Sequence, residues 1–382
     1  MLSCRNLTVN TMNNHNHLPE VLLISEIFRR LPIKSLLICN CVCKLWNSII
    51  STPSFAAYHL KHFPFSNHQS LLINTKSLFL SFDFEYHENF EVERMKTTPI
   101  EFPDVTMVAS YNGLVCLDDE AKNSLYIWNP TISKHIQIPY PQTLIKTRFV
   151  WGFGEVSSMN DYKLIRIYHQ SLNMKVQVFS FISNVWKILD MKFGKHGSDD
   201  IPPMNGIGVS VNNMIYWVSY YTEYDVGYYD HCCQIVAFDL VEEKFMELAS
   251  LPKWSDYSFN ATPVLFQRDG CLCACWKSYQ GDFDIGMFKE EQEGIYSWIR
   301  LFHFDHGSFV YFCDERFKFQ KIQGVTETGN FVVQVDGESI ILFDINQDPQ
   351  KDVHVLKIPR ARNVITCVKS LLSPIDLVGY RS

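Results

Sequence analysis

Residues 126–139, YIWNPTISKHIQIP, carry the pattern that decides the fold of most of this chain. A short apolar and aromatic segment is followed by a polar turn that contains proline, and then by a second short apolar segment. Apolar segments of this length, bounded by Asn, Ser and Pro, predict two β-strands joined by a turn. The fold therefore depends on whether this element occurs once or repeats.

The element recurs five more times along the chain. It appears as LSFDFEYHENFEV (80–92), QVFSFISNVWKIL (177–189), VAFDLVEEKFMEL (236–248), GMFKEEQEGIYSWIRL (286–301) and ILFDINQDPQKDVHVLKIP (341–359). Its key aromatics, 46 to 59 residues apart, are Phe82, Trp128, Phe179, Phe238, Phe288 and Phe343. A period near 50 is longer than that of WD repeats and fits kelch-like blades. Residues 70–375 are therefore predicted to form an all-β propeller of about six blades, each a four-stranded antiparallel sheet.

A second recurring piece precedes several of these elements. It consists of a turn with Asn, Asp or Gly and then an apolar strand, which is typical of inner blade strands. The copies are NGLVCL (112–117), NDYKLIRI (160–167), NNMIYWV (212–218), DGCLCACW (269–276) and TGNFVVQV (328–335). The last run, NVITCVKSLLSP (363–374), has no partner segment after it. We expect it to pair with the first blade and close the ring, which would remove exposed sheet edges.

The first sixty residues differ from the rest. Residues 1–17 are polar and Asn-rich, which predicts a disordered arm. Residues 18–62 then predict a small all-α module. In LPEVLLISEIFRRLP (18–32), apolar residues follow the i, i+3, i+4, i+7 spacing of an amphipathic helix of about three turns. The spaced residues are Ile24, Ile27, Phe28 and Leu31. Pro32 is expected to end the helix.

The next run, IKSLLICNCVCKLWNSII (33–50), reads as one helix with two neighbouring apolar stripes. One stripe contains Ile38, Val42, Leu45 and Ile49, and the other contains Cys39, Cys43, Trp46 and Ile50. Together they are too wide for a helix that contacts only its own domain. Thr52 and Pro53 then offer a cap and a first-turn proline for a third helix through Phe55, Tyr58 and Leu60. A module of about 45 residues rarely folds securely alone, so it is expected to lean on a partner or on the next domain.

Residues 41–46, CVCKLW, allow several interpretations: a metal or redox site, a catalytic cysteine, core packing alone, or a mixture of core and partner surface. No base or further ligand stands at the spacing that the first two need. The mixed interpretation is therefore favoured. In it Trp46 is internal and holds the helices together, while Leu36 and Val42 face outward.

Composition excludes several function classes. The net charge is −7 without a basic run, so nucleic-acid binding is not expected. No apolar stretch is long enough to span a bilayer and no secretory signal is recognised, which predicts a cytoplasmic or nuclear protein without membrane contact. The twelve cysteines include no C-x-x-C pair, and Cys271, Cys273 and Cys275 alternate as strand-core residues would. No metal, cofactor or catalytic motif is identified.

The N-terminal module resembles an F-box. The matching residues are Leu18-Pro19, Arg30-Leu31-Pro32, Lys34-Ser35-Leu36-Leu37, Cys41-Val42-Cys43-Lys44, Trp46, Phe55 and His59-Leu60. One extra residue lies between the two Leu-Pro pairs, and Ile38-Cys39-Asn40 replace an Arg-Phe-Arg-like stretch. The resemblance implies docking on the Skp-type adaptor of a cullin-based ubiquitin ligase. The residues that it implies for adaptor binding are Leu18, Pro19, Ile24, Ile27, Leu31, Pro32, Leu36, Leu37, Val42, Lys44 and Trp46.

The rest of the chain resembles the kelch-like region associated with plant F-boxes, including that of S-locus F-box-like proteins. The matching pieces include Asn112–Leu117, Trp128-Asn129-Pro130, Gly152-Phe153-Gly154 and Ser370–Pro374. The resemblance implies that the propeller binds a target protein. The loop SYYTEYDVGYYDHCC (219–233) is rich in tyrosines and acids, which suit a protein interface. The candidate target-binding residues are Tyr221, Tyr224, Tyr228, Tyr229 and Trp254.

Two classes of function follow from the sequence. The first is a non-catalytic substrate receptor of a cullin-based (SCF-type) ubiquitin ligase, in which the helical module binds the adaptor and the propeller binds a target for ubiquitination. The second is a propeller enzyme with a helical appendage, for which no catalytic motif is present. An F-box adaptor that acts without ligase recruitment is a third alternative. The sequence does not name the target.

Overall fold

The computed structural model describes residues 22–62, 69–75, 78–83, 92–94, 105–141, 149–170, 173–190, 204–225, 228–250, 263–277, 282–292, 295–304, 319–325, 330–335, 339–344, 353–357 and 361–378. The chain divides into two compact units, Met1–Phe63 and Pro64–Ser382. The first is helical and the second consists of β-strands. No helix within the described ranges is long and apolar enough to cross a membrane.

The helical unit begins with an irregular helix. Leu23–Ile27 is a π-helix and Phe28–Arg30 is a 3₁₀-helix, where the sequence predicted one regular helix. Leu23 and Phe28 are buried, but Ile27, predicted on the buried stripe, is 38% exposed. The rotation per residue is smaller in a π-helix and larger in a 3₁₀-helix than in an α-helix. The 3.6-residue spacing of an α-helix therefore does not predict which side chains are buried in this segment. The helix ends as predicted, because Leu31 has the extended backbone favoured before proline.

Two helices, not one, follow this segment. They are α1 (Ile33–Cys39) and α2 (Lys44–Ile50), and residues 40–43 form a turn between them. The prediction of one helix over residues 33–50 was wrong. The backbone of Cys43 is extended, and the carbonyl of Asn40 accepts a hydrogen bond from Asn47 Nδ2 at 3.3 Å. Asn and Cys are weak helix formers, which leaves this turn free to adopt the non-helical conformation.

The last helix, α3 (Pro53–His62), forms where the sequence predicted it. Thr52 caps it, because its Oγ1 accepts a hydrogen bond from the backbone N–H of Phe55 at 3.2 Å. Pro53 occupies the first turn, where a missing N–H costs nothing. The helices bury a common core, in which Trp46 packs edge-on against Phe28 with ring centroids 5.3 Å apart. The core side chains are Leu23, Phe28, Ile33, Leu36, Ile49, Ile50, Phe55, Ala56 and His59.

The β-unit consists of four-stranded antiparallel meanders, with strands numbered β1–β24 along the chain. The first meander contains β24 (Ala361–Val368), β1 (Gln69–Thr75), β2 (Phe79–Asp83) and β3 (Val92–Arg94). The second contains β4 (Thr106–Tyr111), β5 (Leu114–Asp119), β6 (Ser124–Asn129) and β7 (Lys134–Ile138). The third contains β8 (Val150–Val156), β9 (Asp161–Gln170), β10 (Asn173–Ser180) and β11 (Val185–Asp190).

The remaining strands repeat this arrangement. The fourth meander contains β12 (Met204–Val211), β13 (Met214–Asp225), β14 (Tyr228–Asp239) and β15 (Lys244–Ser250). The fifth contains β16 (Val264–Arg268), β17 (Cys271–Lys277), β18 (Phe283–Gln292) and β19 (Ile295–Phe304). The sixth contains β20 (Phe319–Val325), β21 (Asn330–Val335), β22 (Ser339–Asp344) and β23 (Val353–Lys357).

The two recurring sequence elements occupy equivalent strands. Each of the repeated aromatics lies in the third strand of its meander, and Phe82, Trp128, Phe179 and Phe238 are fully or almost fully buried. The turn-and-strand pieces form the second strand of the second to sixth meanders. Their turns place non-glycine residues such as Asn112 and Asp269 at positive φ, which Asn and Asp tolerate better than other side chains.

The meanders are arranged in a ring. Strand β24 pairs antiparallel with β1, from Gln69 opposite Val368 to Thr75 opposite Ala361, as predicted for the last apolar run. The first strands of the meanders contact one another in cyclic order, β24, β4, β8, β12, β16 and β20. The all-β propeller fold is thereby confirmed. One parallel pair, Ile207 with Trp151, joins the third and fourth meanders into an eight-stranded sheet, so the count of about six blades stays a prediction.

The core of the β-unit lies between neighbouring meanders. One cluster joins the third and fourth meanders and contains Ile165, Trp217 and Phe238. Trp217 Nε1 donates to the carbonyl of Trp151 at 3.0 Å, so the indole is both packed and hydrogen-bonded. Gly152 leaves room for this indole, because a Cβ there would lie 2.6 Å from the Trp217 ring.

The C-terminal segment is fastened to the second meander. The buried Asn129 side chain donates from Nδ2 to the carbonyls of Ser370 at 3.0 Å and Leu372 at 2.7 Å. Gly113, at φ +82°, lies under the same segment, and a Cβ there would approach the Val368 carbonyl to 2.6 Å. The sequence pieces Trp128-Asn129-Pro130 and Ser370–Pro374 therefore contact each other and hold the end of the chain against the ring.

Candidate functional site

An exposed apolar cluster lies at the turn between α1 and α2. Ile38 is 70% exposed, Val42 60% and Leu45 40%. Two backbone hydrogen bonds of 3.0 Å fix the turn, from Cys41 N to the Ile38 carbonyl and from Val42 N to the Cys39 carbonyl. We call Ile38, Val42 and Leu45 the turn cluster. Large apolar side chains this exposed in a small helical unit are typical of a protein interaction surface.

The structure places Leu36 differently from the prediction. Leu36 is a residue of α1 and is fully buried, so the expectation that it faces outward was wrong. The single 33–50 helix assumed for that expectation does not exist, and the break after Cys39 rotates α1 so that Leu36 points into the core. Val42 faces outward as expected. Trp46 packs against Phe28, as expected for a residue that holds the helices together, but it is half-buried and not internal.

The other predicted adaptor-binding residues fall into three groups. Pro32 and Lys44 are exposed, and Ile24, Leu31 and Leu37 are half-buried. Ile27 is exposed and is available to a partner. Leu18 and Pro19 lie outside the described residues. Whether these side chains bind an adaptor stays a prediction.

Among residues 22–62, three exposed large apolar residues were not in the predicted binding set. They are Leu22, Ile38 and Leu45. Ile38 and Leu45 belong to the same predicted apolar stripe as Val42. The stripe therefore indicated exposed residues correctly, although the single helix on which it was drawn does not form. The buried end of the same stripe, Ile49, shows that one stripe serves both core and surface.

A hydrogen bond from a buried histidine holds the chain at Leu31. His59 is buried on α3, and its Nε2 lies 2.9 Å from the Leu31 carbonyl. Burial lowers the pKa of His59 below its usual value, against the opposing effect of this hydrogen bond. A neutral His59 donates the Nε2 proton to Leu31 and fixes the chain where the first helix ends. On the surface, Arg30 forms an ion pair with Glu26 at 2.8 Å.

A second candidate surface is the hairpin of β13 and β14. Strand β13 pairs with β12 up to Ser219, which lies opposite Met204, and β14 pairs with β15 from Gln234, which lies opposite Ser250. Beyond these residues β13 and β14 pair with each other, as far as Asp225 opposite Tyr228. We call residues 220–233 the ribbon. Within the described strands, the ribbon extends past both of its neighbours. Residues 219–233, which the sequence predicted to be a loop, therefore lie largely in a β-hairpin that is longer than the described strands beside it.

The candidate target-binding tyrosines occupy defined register positions in the ribbon. Tyr224 pairs with Tyr229, Tyr221 with Cys232, and Asp225 with Tyr228. Residues directly opposite each other in antiparallel strands share a face of the ribbon. Trp254, the fifth candidate, lies outside the described residues.

A buried charged cluster links the second and third meanders. Arg166 is fully buried, with its guanidinium carbon 3.5 Å from the centroid of the Phe149 ring. Asp118 is also buried, and burial raises the pKa of its carboxyl to about 7. Tyr140 hydrogen-bonds Asp118, and burial raises the pKa of this phenol to about 12. Arg166 also interacts electrostatically with Tyr140 and Asp118, and the burial of Arg166 and Asp118 between two sheets favours a structural role.

A second polar cluster lies where the β4–β5 turn meets β8 and β9. Asn112 Nδ2 donates to Glu155 Oε2 at 3.1 Å and lies 3.4 Å from the Tyr162 hydroxyl. Burial raises the pKa of Glu155. Asn112, Glu155 and Tyr162 contact one another across two meanders, which favours a structural role. Over the described ranges, no group of three or more His, Cys, Asp or Glu side chains is arranged to hold a metal ion.

Comparison with known proteins agrees with this architecture. The F-box domain family matches residues 16–58, and the F-box associated beta propeller domain family matches residues 69–371. An F-box protein of Arabidopsis thaliana is 25% identical over 328 residues, covering 76% of this chain and 74% of the relative. An F-box/kelch-repeat protein of the same plant is 26% identical over 314 residues, covering 77% of this chain and 81% of the relative.

A solved fungal lectin with a six-bladed β-propeller fold, from Aleuria aurantia, aligns with a TM-score of 0.34 and 9% identity over 65% of this chain and 76% of the lectin. The propeller family, by contrast, matches well over half of the chain, and its match follows directly on that of the helical unit. Both resemblances seen in the sequence are thereby confirmed, and the chain belongs to the plant F-box family with an F-box associated beta propeller domain.

Proposed function

We propose that this protein is a substrate-recognition subunit of a cullin-based ubiquitin ligase. The turn cluster carries the proposal: an F-box domain exposes Ile38, Val42 and Leu45 together, on a turn that two backbone hydrogen bonds hold in place. A preformed apolar surface binds a partner's groove without a large ordering cost. The fitting partner is a Skp-type adaptor, through which the chain joins the ligase.

The surrounding charge supports the same partner surface. Five basic residues, Arg29, Arg30, Lys34, Lys44 and Lys61, stand against Glu20 and Glu26 within residues 18–62. The whole chain carries a net charge of −7, so the remainder is more acidic than the helical unit. Opposite charge on the two units fits two different partners, because complementary charge steers association and suppresses wrong pairings.

The propeller would hold the target near the ubiquitin-loaded enzyme. The rate gain then comes from proximity, with no chemistry in this chain. The ribbon is the proposed target contact, with Tyr221, Tyr224, Tyr228 and Tyr229 as candidate residues and Trp254 as a further one. This role places the protein in the cytoplasm or nucleus, which imaging of a fluorescent fusion checks.

The test is capture of a purified Skp-type adaptor by the full-length chain. Val42→Asp and Ile38→Asp, singly and together, place a charge in the turn cluster. Ala57→Asp, which introduces the same charge at an exposed position of α3, is the matched control. We expect the double variant to lower the affinity at least about tenfold, or ~1.4 kcal/mol, while the control binds like the parent.

Unchanged capture by the double variant would overturn the proposed docking surface. A second readout separates the alternatives: co-capture of the cullin scaffold through the adaptor. Adaptor binding without cullin recruitment would favour an F-box adaptor that acts outside a ligase. Targets are then sought among proteins that co-purify when the proteasome is blocked, and loss of these proteins on removal of the ribbon would identify it as their binding site.

A further inference from the structure

Two cysteines of the helical unit are exposed beside the turn cluster. Cys41 and Cys43 flank Val42 in the turn between α1 and α2, and both side chains are exposed. Cys41 Sγ donates a weak, exposed hydrogen bond to the carbonyl of Leu37 at 3.8 Å. The sequence had placed Cys43 on a helical stripe, where a thiol would be packed. In the turn, both thiols are within reach of reagents in solution.

Most of the described thiols of the β-unit are buried, unlike this pair. Cys116, Cys273, Cys275 and Cys367 are buried in the propeller sheets. Burial raises the pKa of Cys273 and Cys367 to about 12 and raises that of Cys116 and Cys275 as well. A thiol must ionise and be reached before it can attack a disulfide, so these core thiols are inert. Cys39, Cys233 and Cys271 are half-buried, so Cys41 and Cys43 are the most exposed of the described cysteines.

We propose that Cys41 and Cys43 form a thiol-modification site, at which a low-molecular-weight disulfide of the glutathione class forms a mixed disulfide that blocks partner docking at Val42. The thiolate attacks one sulfur of the glutathione disulfide, a new protein–glutathione S–S bond forms, and the old S–S bond breaks. The thiol loses its proton to water, and the departing glutathione thiolate takes up a proton. The cysteine is oxidised, one glutathione is reduced, and a free thiol reverses the step.

The surroundings of the pair favour this ligand. Glutathione is anionic, and the exposed Lys44 directly follows Cys43. The adduct would place a charged tripeptide against Val42, which is 60% exposed and central to the turn cluster. Burying that charge in an apolar interface is costly, so docking and modification exclude each other. The blocking effect rests on the proposed function, whereas the modification itself does not.

The first experiment tests the modification alone. The full-length protein is incubated with glutathione disulfide, digested without reductant, and the adducts are located by fragment mass spectra. We expect adducts on Cys41 or Cys43, and none on Cys116, Cys273, Cys275 or Cys367. Absence of adducts from the exposed pair, or equal labelling of the buried cysteines, would overturn the site. An internal Cys41–Cys43 disulfide in place of the mixed one would overturn the glutathione assignment.

The second experiment tests the consequence. Adaptor capture is measured for the parent and for the double variant Cys41→Ser/Cys43→Ser, before and after treatment, and again after reduction with dithiothreitol. Capture by the parent should fall at least about tenfold on modification and recover on reduction, while the variant stays insensitive. Confirmed adducts with unchanged capture would overturn the blocking role. If Val42→Asp also leaves capture unchanged, the failure belongs to the proposed docking surface and not to the thiol chemistry.

Discussion

At the scale of single residues, Leu36 and Val42 separate folding from binding. Both match the F-box resemblance, but Leu36 is fully buried and Val42 is 60% exposed. Removing a buried leucine side chain loses its burial and leaves a cavity, whereas shortening an exposed valine loses little. The same motif therefore contains residues with opposite roles, and only their packing tells them apart.

This difference predicts the outcome of two alanine substitutions. Leu36→Ala should destabilise the helical unit by about 2–5 kcal/mol, and Val42→Ala should change its stability by less than about 0.5 kcal/mol. Hydrogen exchange of peptides from residues 33–50 in the full-length chain measures this, since protection there depends on the opening of α1 and α2. Equal protection in the two variants would show that Leu36 is not part of the core.

The carboxyl of Asp118 makes the free energy of unfolding depend on pH. Its folded-state pKa of about 7 results mainly from burial, with Glu120 and Asp119 raising it and Arg166 and Tyr140 opposing the shift. In the unfolded chain the carboxyl ionises near pH 4. Between these values the folded state keeps a proton that the unfolded state has lost. The free energy of unfolding contributed by Asp118 is therefore intact below about pH 4 and falls as pH rises towards 7.

Asp118→Asn should abolish this loss, because the amide remains neutral at every pH. We expect the melting temperature of the variant, relative to that of the parent, to be higher by several degrees at about pH 8 than at about pH 5. Differential scanning calorimetry of both proteins at the two pH values measures the difference. The opposite trend would mean that Arg166 depends on an ionised carboxylate at this position.

At the scale of elements, sequence periodicity predicted strands far better than helices. The third-strand aromatics and the second-strand turns were located correctly, because side chains alternate strictly along a strand and turns need Asn, Asp or Gly at positive φ. The helix over residues 33–50 was wrong, because four residues that do not favour a helix can break it without disturbing its apolar spacing. The turn cluster depended on that break, so the sequence found Val42 but misplaced Leu36.

Two glycine turns allow an element-scale prediction with an internal control. Gly113 and Gly270 both have positive φ, at 82° and 72°. A Cβ at Gly113 would lie 2.6 Å from the Val368 carbonyl, while nothing lies within 4 Å of a Cβ at Gly270. Gly270→Ala should therefore cost about 1–2 kcal/mol from backbone strain alone. Gly113→Ala should cost about 1–3 kcal/mol more, because the C-terminal segment must move.

Urea unfolding of the two alanine variants measures this difference. Since both substitutions add the same methyl group to the same kind of turn, the backbone strain cancels in the comparison. The remaining difference in the free energy of unfolding then measures the contact between the β4–β5 turn and residues 368–370. Equal midpoints for the two variants would argue that this segment does not press on the turn in solution.

At the scale of the whole molecule, ring closure depends on residues far apart in the sequence. Pairing of β24 with β1 joins the two ends of the β-unit, and Asn129 then fastens the segment that follows β24. The sequence predicted the first contact, because an unpaired last strand must find an edge. It did not predict the second, since nothing in the sequence pairs Asn129 with Ser370. The parallel pair between β8 and β12 was likewise not predictable, because it depends on how neighbouring meanders approach each other.

Asn129 therefore provides the test of closure. Its Nδ2 donates to the carbonyls of Ser370 and Leu372 and to Ser370 Oγ, all within 3.1 Å. Asn129→Ala leaves these buried acceptors without a donor, at about 1–3 kcal/mol for each group. We expect a total loss of roughly 2–4 kcal/mol, since such terms are not additive. Gln137→Ala is the control, because Gln137 on the adjacent strand makes one longer side-chain bond, 3.3 Å to Ser124 Oγ.

The residues in which Asn129→Ala increases hydrogen exchange are as informative as the decrease in the free energy of unfolding. Hydrogen exchange should rise first in residues 361–377 of the Asn129→Ala protein, because the C-terminal strand and the segment after it lose their fastening before the inner strands open. Adaptor capture should not change, since the turn cluster belongs to the other compact unit. Exchange that rises equally in all meanders would mean that Asn129 stabilises the propeller as a whole and that the ring is closed by the strand pairing of β24 with β1 alone.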